Sequence, residues 1–474
     1  MPHGRLRRPC RTSQYPCPPF WRPKRGIRRR RPGLKPTGPR RAARHRAFTP
    51  PTTGSIPMKN LFPALLASSA SLIAAMPAQA EVQLEVMHHW VAESEAAALN
   101  VVREALAAKG YGWQDSAVGG QSGGNMQQAL RSRLASGNPP GAMQFIGWEG
   151  IDWSAEGVMR ELNALDEANG WEAAIAPQVL PFVKNGDDLI AAPINMHRQN
   201  WVWANKAAFD KAGIEQPGTW AELIEDGAKL REVGVIPLAM GDEPWQIQVI
   251  FDALVADIGG PEFYNKALVE LDPEALSSDT MKQVFDTLRQ VRGLVDDGFT
   301  GRDWAVASGM VINGQAGMQI MGDWAKGEFL AKGLKPGEDF LCFATPSETP
   351  SFQWLIDSFG MFKVTDPEVT KAQDALAEVV MGPKVQHDFN LIKGSIPART
   401  DLPVDDFDDC AKKGFEDRAI AIENGAMLGA STHGFASQPQ FATVFGDVVA
   451  QFFVNDMASE DAVQMLVSGI DNAR

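Results

Sequence analysis

Cysteine is scarce here: four in 474 residues, with Cys10 and Cys17 near the start and only Cys342 and Cys410 after Glu81. Neither later cysteine has a partner at metal-ligand spacing, and the seven histidines form no cluster, so no metal site is expected. Acidic residues are missing altogether before Glu81. No apolar run is long enough to cross a bilayer, which takes about 20 residues. From Glu81 onward 28 Lys and Arg face all 58 acids, a balance of -30 concealed within the overall -13. A surface that negative repels nucleic acid and anionic lipid, and suits an uncharged ligand.

Residues 1–57 hold 16 Lys and Arg, many prolines and few aliphatic residues. Such a segment cannot bury a core, and it reads as a disordered extension outside the working protein rather than as a nucleic-acid-binding arm. Residues 58–80 read as a secretory signal. Met58-Lys59-Asn60 is the basic start, Leu61 to Met76 the apolar run, and Pro77-Ala78-Gln79-Ala80 a small-residue site cut after Ala80. No cysteine follows the cut to carry a lipid, so a soluble exported protein is expected. In that compartment Cys342 and Cys410 form either a disulfide or two buried thiols.

From Val82 the pattern is strand, helix, strand. VQLEVMHHW (82–90) alternates, and Glu95 to Lys109 carries an apolar face of Ala97, Leu99, Val101, Val102 and Leu106, stopped by Gly110. Residues 119–125, GGQSGGN, lack the Lys-Ser/Thr ending of a phosphate loop and the spacing of a dinucleotide fingerprint, so no cofactor is predicted. A tight connection beside a ligand is expected instead. Alternating units imply parallel sheets with sites beyond the strand ends, where Trp90 and Gln144 fall. Residues 189–205, LIAAPINMHRQNWVWAN, alternate through Pro193 and read either as one more sheet strand or as a strand crossing from one α/β lobe to another. Twelve of the 13 Trp but two Tyr follow Glu81, and indoles offer flat apolar faces to sugar C–H bonds. Trp153, Trp171 and Trp220 are assigned to packing; Trp90, Trp304, Trp324 and, more weakly, Trp245 are stacking candidates.

Six fragments in order, SGNPPGAMQ (136–144), AAPINMHR (191–198), INGQAGMQIMGDWAKGEF (312–329), DSFGMF (357–362), FNLIKGSIPAR (389–399) and THG (432–434), resemble the periplasmic sugar-binding receptors of ABC importers, in their glucose-binding branch. The resemblance implies an α/β, two-lobed periplasmic-binding-protein fold of the maltose-binding class, with three crossing segments. The lobes would be 81–194 with 345–392 and 195–344 with 393–474. Crossings are expected at 189–205, at Phe340 to Pro346 and at Phe389 to Arg399. It also implies a monomeric, non-enzymatic receptor that hands a small neutral sugar, glucose or a related aldohexose, to inner-membrane permease subunits driven by a cytoplasmic ATPase. Trp90, Glu95, Gln144, Trp245, Trp304, Asp323, Trp324, Asp357, Lys393 and His433 would hold that sugar. Two positions depart from the glucose binders: Ile146 where they have Lys or His, and Leu355 where they can have Asn. A small glycoside or disaccharide is the alternative ligand. A secreted glycosidase using Glu95 and Asp357 is the rival from another class.

Overall fold

A computed structural model describes residues 82–474; the extension 1–57 and the signal 58–80 lie outside the described residues. The opening strand Gln83–His88 turns Leu84 and Val86 into the core and pairs in parallel with Gly112–Ala117 on one side and Ala142–Phe145 on the other. Helices Glu93–Ala108 and Gly124–Ala135 make the connections. The first is started by Glu95, whose Oε2 accepts the Val91 and Ala92 amides at 3.0 and 3.1 Å and so satisfies donors that a helix start leaves unpaired. It buries Ala98, Leu99, Val102 and Leu106 against helices Pro367–Val380 and Pro383–Lys393. Ala97, expected on that face, is exposed, because the helical period puts Ala98 on the stripe instead. Ser358–Phe362 completes this first sheet antiparallel to Ala142–Phe145.

Residues 191–205 pass through three sheets in turn. Ala191–Pro193 pairs with Ser358–Phe362 in the first sheet, and its terminal proline owes no ladder bond there. Asn195–Arg198 lies in a middle sheet between Ile396–Pro397 and Phe352–Leu355, with Met427–Gly429 beyond. Trp201–Asn205 is a central strand of the second lobe's sheet, flanked by Ala316–Ile320 and Phe340–Ala344, with Ile236–Leu238 outermost.

The second crossing differs from expectation. Phe340–Ala344 pairs along its whole length with Trp201–Asn205 and stays in the second lobe. Pro346 and Pro350 turn the chain away, and residues 352–358 make the passage through the middle sheet. The third crossing is shorter than expected: Phe389 to Lys393 belong to helix Pro383–Lys393, and Gly394, at φ +94°, starts the passage. A Cβ there would stand 2.4 Å from the Asp323 carbonyl oxygen, so only glycine fits both angle and space.

One apolar core runs from the first lobe under the middle sheet to Trp203, Val311 and Phe329 of the second; another fills the second lobe around helix Pro244–Ile258 and its neighbours Asp279–Arg292 and Pro439–Val454, and a smaller one gathers Met87, Met126, Met143 and Phe362 in the first. Trp171 and Trp220 are buried in them, and Trp153 donates its indole N–H to Gln127, all away from the groove between the lobes. Cys342 and Cys410 are bonded, joining strand Phe340–Ala344 to helix Asp409–Glu423.

Candidate functional site

Between the lobes lies a groove of about 600 Å³, part of it open to solvent. Trp90, Glu95 and the loop Gly120 to Ser122 line it from the first lobe; Trp245, Trp304, Trp324 and His433 face them from the second; Asp357 and Lys393 come from the joints. Eight of the ten residues predicted to hold the ligand therefore meet in one place.

Trp324 is the centre of the aromatic wall. It stands edge-on to His197 at 5.3 Å and to His433 at 5.6 Å, with Trp245 at 6.2 Å. Its ring folds back over Gly322, where a Cβ would come within 2.1 Å of the indole, so that glycine is a condition of the ring's position. Trp245 is held by its N–H donating to Glu243 at 2.9 Å. Trp304 opens helix Trp304–Ile312, capped by the Asp303 carboxylate. Trp90 is packed between Phe359 and Phe389, ring centroids 5.8 and 5.5 Å away, and Lys393 Nζ lies 5.6 Å from its centroid. Lys393 also donates to Glu95 Oε1 at 3.3 Å.

The polar groups are held by a second layer. Asp357 accepts from Gln144 Nε2 at 2.7 Å and from Asn195 Nδ2 at 2.8 Å, with His197 Nε2 at 3.2 Å. Burial pushes its carboxyl up, but the His197 contact together with the charges of Lys393 and His89 outweighs this and holds it well below the ordinary range. Burial likewise opposes charge on His197, yet Asp323 at Nδ1 and Asp357 beyond Nε2 raise its pKa. His433 has the opposite fate. Burial brings it down to about 3, and it is neutral. Its tautomer follows from its neighbours. Asp252 takes the Gln199 amide N–H at 2.8 Å, which turns Gln199 Oε1 toward His433 Nδ1 at 3.2 Å. Nδ1 therefore carries the proton and Nε2 is an acceptor.

Gln144 and Asp323, predicted as ligand contacts, do not line the groove. Gln144, on strand Ala142–Phe145, and Asp323, in the turn after Ala316–Ile320, are both held behind it. Gln144 spends its amide on Asp357 and on the His89 N–H at 3.1 Å; Asp323 is engaged by His197 and by the Arg198 N–H at 2.9 Å. Gln121 and Ser122 line it as part of the loop expected beside a ligand, while His89, His197, Glu243 and Asp303 line it without having been predicted. Of these four, only Asp303 and Glu243 carried a local signal, each standing just before a helix start. Ile146 and Leu355, read as departures, both face the groove.

The lobes touch beyond the groove as well. Ser94 donates its amide (3.1 Å) and hydroxyl (2.6 Å) to Glu328 of the opposite lobe, and both residues are buried. At the other lip the Gln121 amide donates to Glu243 at 3.2 Å. Gln121 and Ser122 have φ of 52° and 46°, sparsely populated for residues with a side chain.

Two α/β lobes, three connecting passages and one groove built from both sides define a two-lobed ligand receptor of the periplasmic-binding-protein fold. The chain belongs to the bacterial extracellular solute-binding proteins, whose family model matches residues 98–370. It is 44% identical over 408 residues to a probable sugar-binding periplasmic protein of Rhizobium meliloti (strain 1021), covering 86% of this chain and 98% of that one. A chitin oligosaccharide binding protein superposes with a TM-score of 0.72 at 19% identity, covering 83% of this chain and 99% of the other. The bacterial solute receptor AcbH, described as preferring β-D-galactopyranose, superposes with a TM-score of 0.70 at 19% identity over the same shares.

Proposed function

We propose that the protein is the periplasmic receptor of an ABC importer and captures an aldohexose, glucose or a close relative, by closing its lobes. The observation that carries this reading is the joining, in one groove, of indole faces from both lobes with Glu95, Asp357, Lys393 and neutral His433. Indoles cover ring C–H faces, while carboxylates, an ammonium and an imidazole acceptor take hydroxyls of both senses. Residues 82–193 with 359–392 form one jaw, and 199–351 with 395–474 the other, joined by the passages between them. Contacts made to both jaws exist only when they meet, so the sugar shifts the population toward the closed form. That form is what the permease subunits, powered by their cytoplasmic ATPase, receive from a monomeric receptor. The sugar-binding, periplasmic names of full-length relatives support the role; the glucose-branch motifs support the ligand class.

Binding without turnover fits the site better than glycoside cleavage. In that rival Glu95 is the acid and Asp357 the nucleophile, yet Glu95 Oε2 already accepts the Val91 and Ala92 amides and Oε1 accepts from Lys393, while both Asp357 oxygens accept from Gln144 and Asn195. A small glycoside or disaccharide suits the same groove, because Val91 on its wall is 63% exposed and leaves that side open. Titration calorimetry of the exported form with aldohexoses and small glucosides tests the reading. Saturable binding with no released product is expected; release of product, or no affinity for any sugar, would overturn it.

A further inference from the structure

Around Asp357 the groove changes character. Glu95 and Lys393 meet beside Trp90. Two aliphatic side chains face the same space: Leu355, two residues earlier on the strand that leads to Asp357, and Ile146, which the pairing of Phe145 with Ser358 sets opposite Asp357, with the His433 carbonyl against Gly147 next to it. The backbone at this corner offers no free donor on the Ile146 side, since that N–H is already given to Glu149 Oε2 at 3.2 Å. A hydroxyl pushed there would lose its water and find no partner on the Ile146 side, a penalty of roughly tenfold to a hundredfold in affinity. A methyl group would instead fill the corner and bury apolar surface.

We propose that the ligand presents a carbon without its hydroxyl to the Ile146–Leu355 corner, and that the preferred class is the 6-deoxyhexoses. Removing the exocyclic oxygen of a hexose leaves a methyl of the shape two branched aliphatic side chains can enclose. A pentose, lacking that carbon as well, would leave the corner unfilled and rank second. The ring's remaining hydroxyls stay on Asp357, Glu95, Lys393 and His433, so this inference rests on the sugar-receptor reading above and narrows it.

Calorimetry on the exported protein should compare each hexose with its 6-deoxy counterpart of the same configuration: D-galactose with D-fucose, D-glucose with 6-deoxy-D-glucose, L-mannose with L-rhamnose. L-Arabinose and D-xylose serve as the pentose arm. The best-bound deoxy sugar should exceed its parent by at least about tenfold, the scale of a hydroxyl rejected by an apolar pocket. Leu355→Asn, or Ile146→Thr if the first does not fold, should shrink that ratio by raising the parent's affinity. Trp324→Ala should weaken parent and deoxy sugar alike. A parent hexose bound as well as or better than its deoxy form, or a ratio unmoved in a folded corner variant, overturns the proposal. Tightest binding of a pentose does so too. Failure of every sugar to bind the unaltered protein would instead refute the receptor reading beneath it.

Discussion

His433 ties the ligand wall to pH. Its folded pKa lies at about 3, against an ordinary value of 6.5. The folded protein thus keeps the ring neutral while the unfolded chain takes up a proton below about pH 6.5. The stability this neutrality contributes is present above 6.5 and is lost as pH falls toward 3. His433→Asn should therefore flatten the acid side of the profile. Its melting temperature should drop less than that of the natural protein between about pH 7 and pH 5, with scanning calorimetry as the measurement. Equal drops would remove His433 from the account. Trp324→Ala should cost sugar affinity well over tenfold, from roughly 1–3 kcal/mol for losing a packed aromatic face; unchanged calorimetric affinity contradicts it. Trp324, Asp357 and Lys393 were placed at the groove through fragments that resemble the receptor family, since an aspartate or lysine at an element's end is by itself a turn or a solvated charge. His197 was not. Its significance comes from Asp323 and Asp357, 126 and 160 residues away in the chain, and no local pattern announces a meeting over that distance.

Among elements, the start of helix Glu93–Ala108 does more than begin a connection. Its first turn presents Ser94 to Glu328 across the lobes, two hydrogen bonds to a buried carboxylate that exist only while the jaws are together. Hydrogen bonds to a charged group contribute about 1.5–3 kcal/mol each. Ser94→Ala should accordingly speed sugar dissociation about tenfold or more while leaving association nearly unchanged, as stopped-flow tryptophan fluorescence would read. An unchanged off-rate would show that this contact persists in the open form. The helix was legible from its period and from Glu95, although its face was placed one residue off at Ala97. The loop before helix Gly124–Ala135 was legible as a ligand-side turn, but not its two non-glycine residues at positive φ. Strain of that kind is imposed by surroundings, here the reach of the Gln121 amide to Glu243. Gln144 and Asp323 show the limit in the other direction: the strand end was right, and the direction of the side chain from it was not.

Across the whole molecule, alternation and proline placement made the two-lobed plan readable, since a strand that begins in one sheet and ends in another must traverse the gap. The second passage was misplaced because FLCFATP has strand character whichever sheet it joins; the prolines after it decide where it ends. The bond between Cys342 and Cys410 closes a separation of 68 residues, for which a chain-entropy account gives about 4 kcal/mol. Reductant should lower the melting temperature by several degrees and leave sugar affinity within about twofold, since neither cysteine lines the groove. A large loss of affinity would show that the bond shapes the site.

That covalent tie also bears on the middle sheet. Helix Asp409–Glu423 rests on the middle sheet, and its cysteine fastens it to the second lobe, while Lys326 reaches Asp408 at 3.0 Å and Arg198 reaches Asp417 at 2.5 Å. The middle sheet is thus fastened on both sides: the disulfide and these ion pairs hold it to the second lobe, while the shared core, the packing of Phe182 on Trp354 and the bonds of 398–400 to Ala174 and Ala176 hold it to the first.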